Sequence, residues 1–199
     1  MSEKNKIRQA HILRKTKETS VELTVVIDGK GRAEINCPVG FWAHMLTLLS
    51  FFSGFDINLE AQGDIHVDDH HLVEDIGICL GEAFKQALGD RKGINRFGFA
   101  IVPMDESLVQ VAVDISGRPF LGFAIPVVKS RGGFSEIENL QEFMRAFSNH
   151  ACINLHLRLF SGENTHHICE AAFKGLALAL KDAVKIEGRQ ISSTKGKID

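Results

Sequence analysis

The sequence predicts an α+β fold made from an internally duplicated unit, with strands, a helix, a strand and a long helix in each half. Three observations predict it. The chain has 199 residues, 44% of them hydrophobic and 24% charged, which is an ordinary globular composition with enough length to bury a substantial core. The same order of elements is read twice along it. Sliding the chain against itself by 96 positions over residues 51–85 gives ten identities in 35 positions, among them Ile57/Ile153, Leu59/Leu155, His70/His166, His71/His167, Glu74/Glu170 and Leu80/Leu176. Chance would supply about two, so a repeat is the better account. The expected organisation is one domain over 1–199, built from two pseudo-symmetric repeats at about 1–92 and 93–199 that pack as one body.

In order, 21-VELTVVI-27 is rich in β-branched residues and reads as a strand, followed by an Asp-Gly turn at 28-DGKG-31 and a strand from Arg32 to Cys37. A helix is expected near 41–53, then strand 55-FDINLEA-61. A long helix from about His70 to Leu88 follows from Leu72, Ile76, Leu80, Ala83, Phe84 and Leu88, which recur at helical spacing. After the break at 89-GDRKGINRFG-98 come strands 99-FAIV-102, 107-SLVQVAVDI-115 and 120-FLGFAI-125, a helix over about 139–149, strand 152-CINLHLRL-159 and a helix over about 166–184.

The net charge of −2 and scattered Lys and Arg provide no basic face, so nucleic acid is not an expected partner. No run approaches eighteen apolar residues, which argues against a membrane-spanning helix. The stretch MSEKNKIRQA lacks the apolar core of a secretory signal, so a cytoplasmic protein is expected. Cys37, Cys79, Cys152 and Cys169 have no CxxC spacing and read as buried free thiols in a reducing compartment.

The chemistry concentrates in 66-HVDDHHLVEDIGICLG-81, where three histidines and four carboxylates fall within ten residues and lead into a helix. The repeat carries 70-HHLVE-74 onto 166-HHICE-170. Neutral imidazole with carboxylate is a ligand set for Mn, Fe, Zn or Co. On a helix His70 and Glu74 lie one turn apart, and His167 is likewise adjacent to Glu170, so each pair can grip one ion. Adjacent histidines diverge by about 100°, so two metal sites are expected. A lone HHxxE reads equally well as a polar helix cap, but two copies in register favour metal. Oxygen ligands without thiolate favour a six-coordinate ion, Mn(II) first.

Beyond these motifs, 14-RKTKET-19, 28-DGKG-31, 44-HMLTLL-49, 63-GDIHVDDHHLVEDIG-77, 96-RFG-98, 103-PMDESL-108, 114-DISGRP-119, 164-NTHHICEAAFK-174 and 193-STKG-196 together resemble the imidazoleglycerol-phosphate dehydratase family of histidine biosynthesis. The resemblance spans nearly the whole chain. It implies a hydro-lyase that converts D-erythro-imidazole-glycerol phosphate to imidazole-acetol phosphate. It also implies two Mn2+ ions per active site that stabilise an imidazolate, and a homo-oligomeric shell of 24 subunits with sites at subunit contacts. One ion is expected to take His44, His71, His167 and Glu170, the other His70, Glu74, Glu142 and His166. Glu18 is the expected acid/base group, and Glu170 is counted with it as catalytic while also binding metal. Arg96, Arg118, Lys174, Ser193 and Lys195 are expected to hold the phosphate. Asp68, Asp69, Asp105 and Glu106 are expected to orient ligands or meet the diol, and His66 lies in the motif without an assigned role.

Three positions depart from the pattern. Ala43 replaces an Asp beside His44, Phe52 replaces a His, and Ser192 stands where Pro is usual. A working enzyme is the expectation, with two alternatives: a noncatalytic metal-binding shell, and a dinuclear metallohydrolase.

Overall fold

The computed structural model describes residues 7–126, 136–188, 190–196 and 198. The first half contains β1 (Gln9–Lys15), β2 (Thr19–Val26), β3 (Ala33–Asn36), α1 (Gly40–Ser53), β4 (Asp56–Gly63) and α2 (His70–Leu88). The second contains β5 (Phe97–Met104), β6 (Ser107–Asp114), β7 (Phe120–Ala124), α3 (Glu136–Ala151), β8 (Asn154–Ser161) and α4 (Thr165–Ala183). The duplication extends to topology. The sheets have orders β1-β2-β4-β3 and β5-β6-β8-β7, and in each only the last pair is parallel.

Alternation along the strands sets which face each sheet turns inward. Leu23 lies opposite Leu59 and Val25 opposite Ile57 in the first sheet, as Val111 lies opposite Leu157 and Val113 opposite Leu155 in the second. All eight are buried. The helices fill the layer between the sheets. Helix α2 lies on β1 and β2, α4 lies on β5 and β6, and each long helix packs on the shorter helix of the other half, α2 on α3 and α4 on α1. The six apolar residues that predicted α2 are all buried. Close approach to α3 requires Gly77 and Gly81: a Cβ at Gly81 would stand 2.7 Å from the carbonyl oxygen of Phe147, and one at Gly77 would stand 2.9 Å from that of Phe143.

The 28-DGKG-31 turn is fixed from a distance by Asp56. Its carboxylate accepts the backbone N–H of Lys30 at 2.7 Å and of Arg32 at 3.0 Å, and the Arg32 guanidinium at 2.9 Å. Burial opposes ionisation there, but these donors outweigh it and hold the carboxyl at about 2.

The structure departs from the sequence reading in three places. Strand β1 has no counterpart in it, because β1 is an edge strand with only Ile12 buried, and QAHILRK carries no clear alternation. Strand β8 begins at Asn154 and not at Cys152, whose positive φ of 53° belongs to the turn after α3. Cys79 and Cys169 are buried, their thiols pushed by burial to about 12, whereas Cys37 and Cys152 are only half-buried.

Candidate active site

Helix α4 starts from Asn164, whose side-chain oxygen accepts the backbone N–H of His166 at 2.9 Å and of His167 at 3.4 Å. That cap satisfies two donors the helix cannot and fixes the rotation of its first turn. His166 and Glu170 therefore stand one turn apart, with Nε2 of His166 3.0 Å from Oε1 of Glu170. Helix α1 brings His44 to the same oxygen at 3.1 Å, its ring stacked on that of His166 at 5.9 Å. The other carboxylate oxygen accepts Nζ of Lys174 at 2.5 Å. Burial works against the charged form of Glu170, but Lys174, His44 and His166 overcome it and hold its carboxyl at about 2. Two imidazole nitrogens and one ionised oxygen thus lie within 4.8 Å of one another. This donor set fits a borderline divalent cation, and the engagement of Lys174 with Oε2 leaves Oε1 for the ion.

Among the described residues, no other histidine, cysteine or carboxylate group forms such a cluster. The grouping inside one chain therefore differs from the expected sets: His166 joins His44 and Glu170, while His71 and His167 stand apart from them. His71 meets Asp64 through Nδ1 at 3.1 Å, with Glu18 at 3.9 Å. His167 meets Glu106 through Nδ1 at 2.7 Å, with Asp105 3.8 Å from Nε2. Hydrogen bonding to Asp64 and to Glu106 raises the pKa of His71 and His167, and the His167 contact and backbone N–H of Asn164 hold Glu106 at about 2. The His70 ring lies 6.0 Å from that of His71. Glu74 is half-buried on α2, and Glu142 receives Arg145 at 2.5 Å.

Four of the expected phosphate residues meet in one pocket of about 140 Å³ lined by Arg96, Ser116, Arg118, Ser193, Thr194, Lys195 and Ile198. Arg96 is braced by Asp114 at 2.6 Å and by the carbonyl oxygen of Ser192 at 2.8 Å, a backbone contact that does not depend on the residue at 192 being Pro. Lys174 lies elsewhere, on Glu170, with its Nζ 6.0 Å from the centre of the Phe52 ring, so Phe52 borders the His44–Glu170 cluster, and Ala43 directly precedes His44 in α1. The basic pocket and the cluster occupy opposite ends of α4. The backbone N–H of Arg96 donates to the carbonyl oxygen of Ala183, the last residue of that helix. The seventeen-residue rise from His166 to Ala183 is about 25 Å.

Two carboxylates have partners that were not legible in the sequence. Asp64 enters as the partner of His71. Asp69, at the start of α2, accepts the indole N–H of Trp42 at 2.8 Å and the amide of Asn139 at 2.7 Å, tying α1, α2 and α3 together beside the first HHxxE motif.

The pattern that defines imidazoleglycerol-phosphate dehydratases matches residues 37–180. The chain belongs to the imidazoleglycerol-phosphate dehydratase family. It is 50% identical to the imidazoleglycerol-phosphate dehydratase of Desulforudis audaxviator over 97% of this chain and 99% of that one. It is 52% identical to that of Thermodesulfovibrio yellowstonii over 96% of this chain and all of that one. Among solved structures, the Staphylococcus aureus imidazoleglycerol-phosphate dehydratase superposes with a TM-score of 0.79 at 40% identity, covering 90% of this chain and 99% of that one. The Pyrococcus furiosus protein in complex with (S)-C348 gives 0.80 at 40% identity over 94% and 99%. The imidazoleglycerol-phosphate dehydratase family comprises metal-dependent dehydratases of histidine biosynthesis, and this member is an enzyme acting on a phosphorylated small molecule. No described helix is long and apolar enough to cross a membrane.

Proposed function

We propose that this chain dehydrates D-erythro-imidazole-glycerol phosphate to imidazole-acetol phosphate in the cytoplasm, with two Mn2+ ions per site, at sites shared between copies of a 24-subunit homo-oligomer. The observation that carries this reading is the convergence of His44 and His166 on one oxygen of an ionised Glu170. When bound, the ions would supply Lewis acidity to the substrate, the chemistry needed to remove a proton from carbon and expel water. His44, His166 and Glu170 hold one ion. His70, His71, Glu74, Glu142 and His167 complete the sites once copies meet. Glu18, on the turn between β1 and β2 with its side chain 58% exposed, has the freedom to move the proton. Arg96, Arg118, Ser193 and Lys195 grip the phosphate.

Two features support sharing between copies. The substrate is far smaller than the roughly 25 Å helix rise from His166 to Ala183, whose carbonyl oxygen takes the backbone N–H of the pocket's Arg96, so a single copy does not bring both to one molecule. In addition, Phe97, Phe99 and Ile101 alternate along the outer face of β5 at 53%, 73% and 53% exposure, an apolar face that a second copy would cover. The reducing compartment is supported by four free cysteines.

The test is turnover of imidazole-glycerol phosphate after exhaustive chelation and again after Mn2+ is added. Loss on chelation and recovery with Mn2+ are expected. A protein that reloads with Mn2+ yet turns over nothing would contradict the proposal and leave a metal-binding shell.

A further inference from the structure

The two repeats place a carboxylate on Nδ1 of the second histidine of each HHxxE motif, but they take it from different positions. In the first repeat it is Asp64, just past β4, 3.1 Å from His71. The position 96 residues on from Asp64 is Phe160, which has no acidic group. In the second repeat the carboxylate comes from the turn between β5 and β6, where Glu106 stands 2.7 Å from His167. The corresponding turn of the first repeat, between β1 and β2, carries Glu18, which reaches His71 only to 3.9 Å.

From this exchange we infer that Asp64 and Glu106 are equivalent positioning residues, and that the presence of Asp64 is what leaves Glu18 unoccupied for proton transfer. The inference rests on the two-metal reading above. A carboxylate accepting from Nδ1–H fixes the imidazole tautomer with its lone pair on Nε2, the atom available to an ion, and fixes the plane of the ring. Glu106 is firmly placed for this: its Oε1 accepts the backbone N–H of Asn164 at 3.0 Å and the hydroxyl of Ser107 at 3.0 Å, leaving Oε2 for His167. The turn that carries it is set by Asp105 in the left-handed region at φ 48°. In repeat two one carboxylate, Glu106, meets Nδ1 of the histidine, and Asp105 faces its Nε2 at 3.8 Å; in repeat one both Asp64 and Glu18 face Nδ1, and the surplus there is Glu18.

The test is Mn2+ binding to the full-length protein, followed by the electron paramagnetic resonance signal of free Mn2+, for the parent, Glu106→Gln, Asp64→Asn and the neighbouring exposed Glu163→Gln, with metal-free melting temperatures alongside. An amide N–H facing Nδ1 favours the tautomer that puts the proton on Nε2. Glu106→Gln is therefore expected to weaken Mn2+ binding about 10- to 100-fold at an unchanged melting temperature, while Glu163→Gln matches the parent. Asp64→Asn, whose side chain braces no loop, is expected to show a loss of the same size and decides the matter should Glu106→Gln fail to fold. Parental Mn2+ affinity in Asp64→Asn, or in a folded Glu106→Gln, would overturn the inference. A parent protein that binds no Mn2+ would instead overturn the two-metal reading itself.

Discussion

Glu170→Gln is expected to lower kcat/KM for imidazole-glycerol phosphate by at least about 100-fold and to weaken metal binding with it. Loss of a group that merely orients a ligand costs about 10- to 100-fold, and Glu170 is the group on which the cluster is built. Its carboxylate is held ionised at about 2 by Lys174, His44 and His166 against the cost of burial. A neutral amide removes the charge that offsets the cation and leaves Lys174 facing it without a counterion. Steady-state turnover beside a metal analysis of the purified variant checks both halves of the expectation. Parental metal content with parental turnover would remove Glu170 from the site.

Glu18→Gln separates chemistry from binding. The expected result is a fall in kcat of about 10²- to 10⁴-fold, the usual contribution of a positioned proton-moving group. Metal content and oligomeric state should stay as in the parent, because Glu18 sits on an exposed turn and Asp64, not Glu18, holds His71. A passive metal-binding shell would show no change at all, and a loss of metal together with activity would make Glu18 a ligand.

The parts of this site that were legible in the sequence are those whose logic is local. Helices α2 and α4 announce themselves through apolar spacing, and the HHxxE motifs through their repetition at one shift, because both signals lie within a single element. What the sequence did not reveal depends on chain folding. His44 and Glu170, 126 residues apart, were expected together only through the family resemblance, and the grouping of His166 with them follows from how α1 packs on α4. Asp64 reads as one more loop carboxylate until β4 and α2 are placed, and Asp69, expected to orient a ligand or meet the diol, has both its oxygens engaged by Trp42 and Asn139. Strand β1 leaves no alternation in the sequence because this edge strand buries only Ile12. Lys174 was expected with the phosphate residues on its motif alone, and the fold sets it on Glu170.

The distance between the basic pocket and the His44–Glu170 cluster requires two copies to build one site, and co-expression tests this directly. A chain carrying Glu170→Gln and a chain carrying both Arg118→Ala and Lys195→Ala are each made alone and then co-expressed, with turnover measured well below the parental KM. The second chain alone should lose about 10-fold or more, since each charged hydrogen bond to phosphate contributes about 1.5–3 kcal/mol. If each site takes Glu170 from one copy and its phosphate grip from another, random mixing leaves about a quarter of the sites with both intact, and activity reappears well above either variant alone. Co-expressed protein no more active than the better of the two variants would show that metal and phosphate are held by the same chain, and would contradict the account.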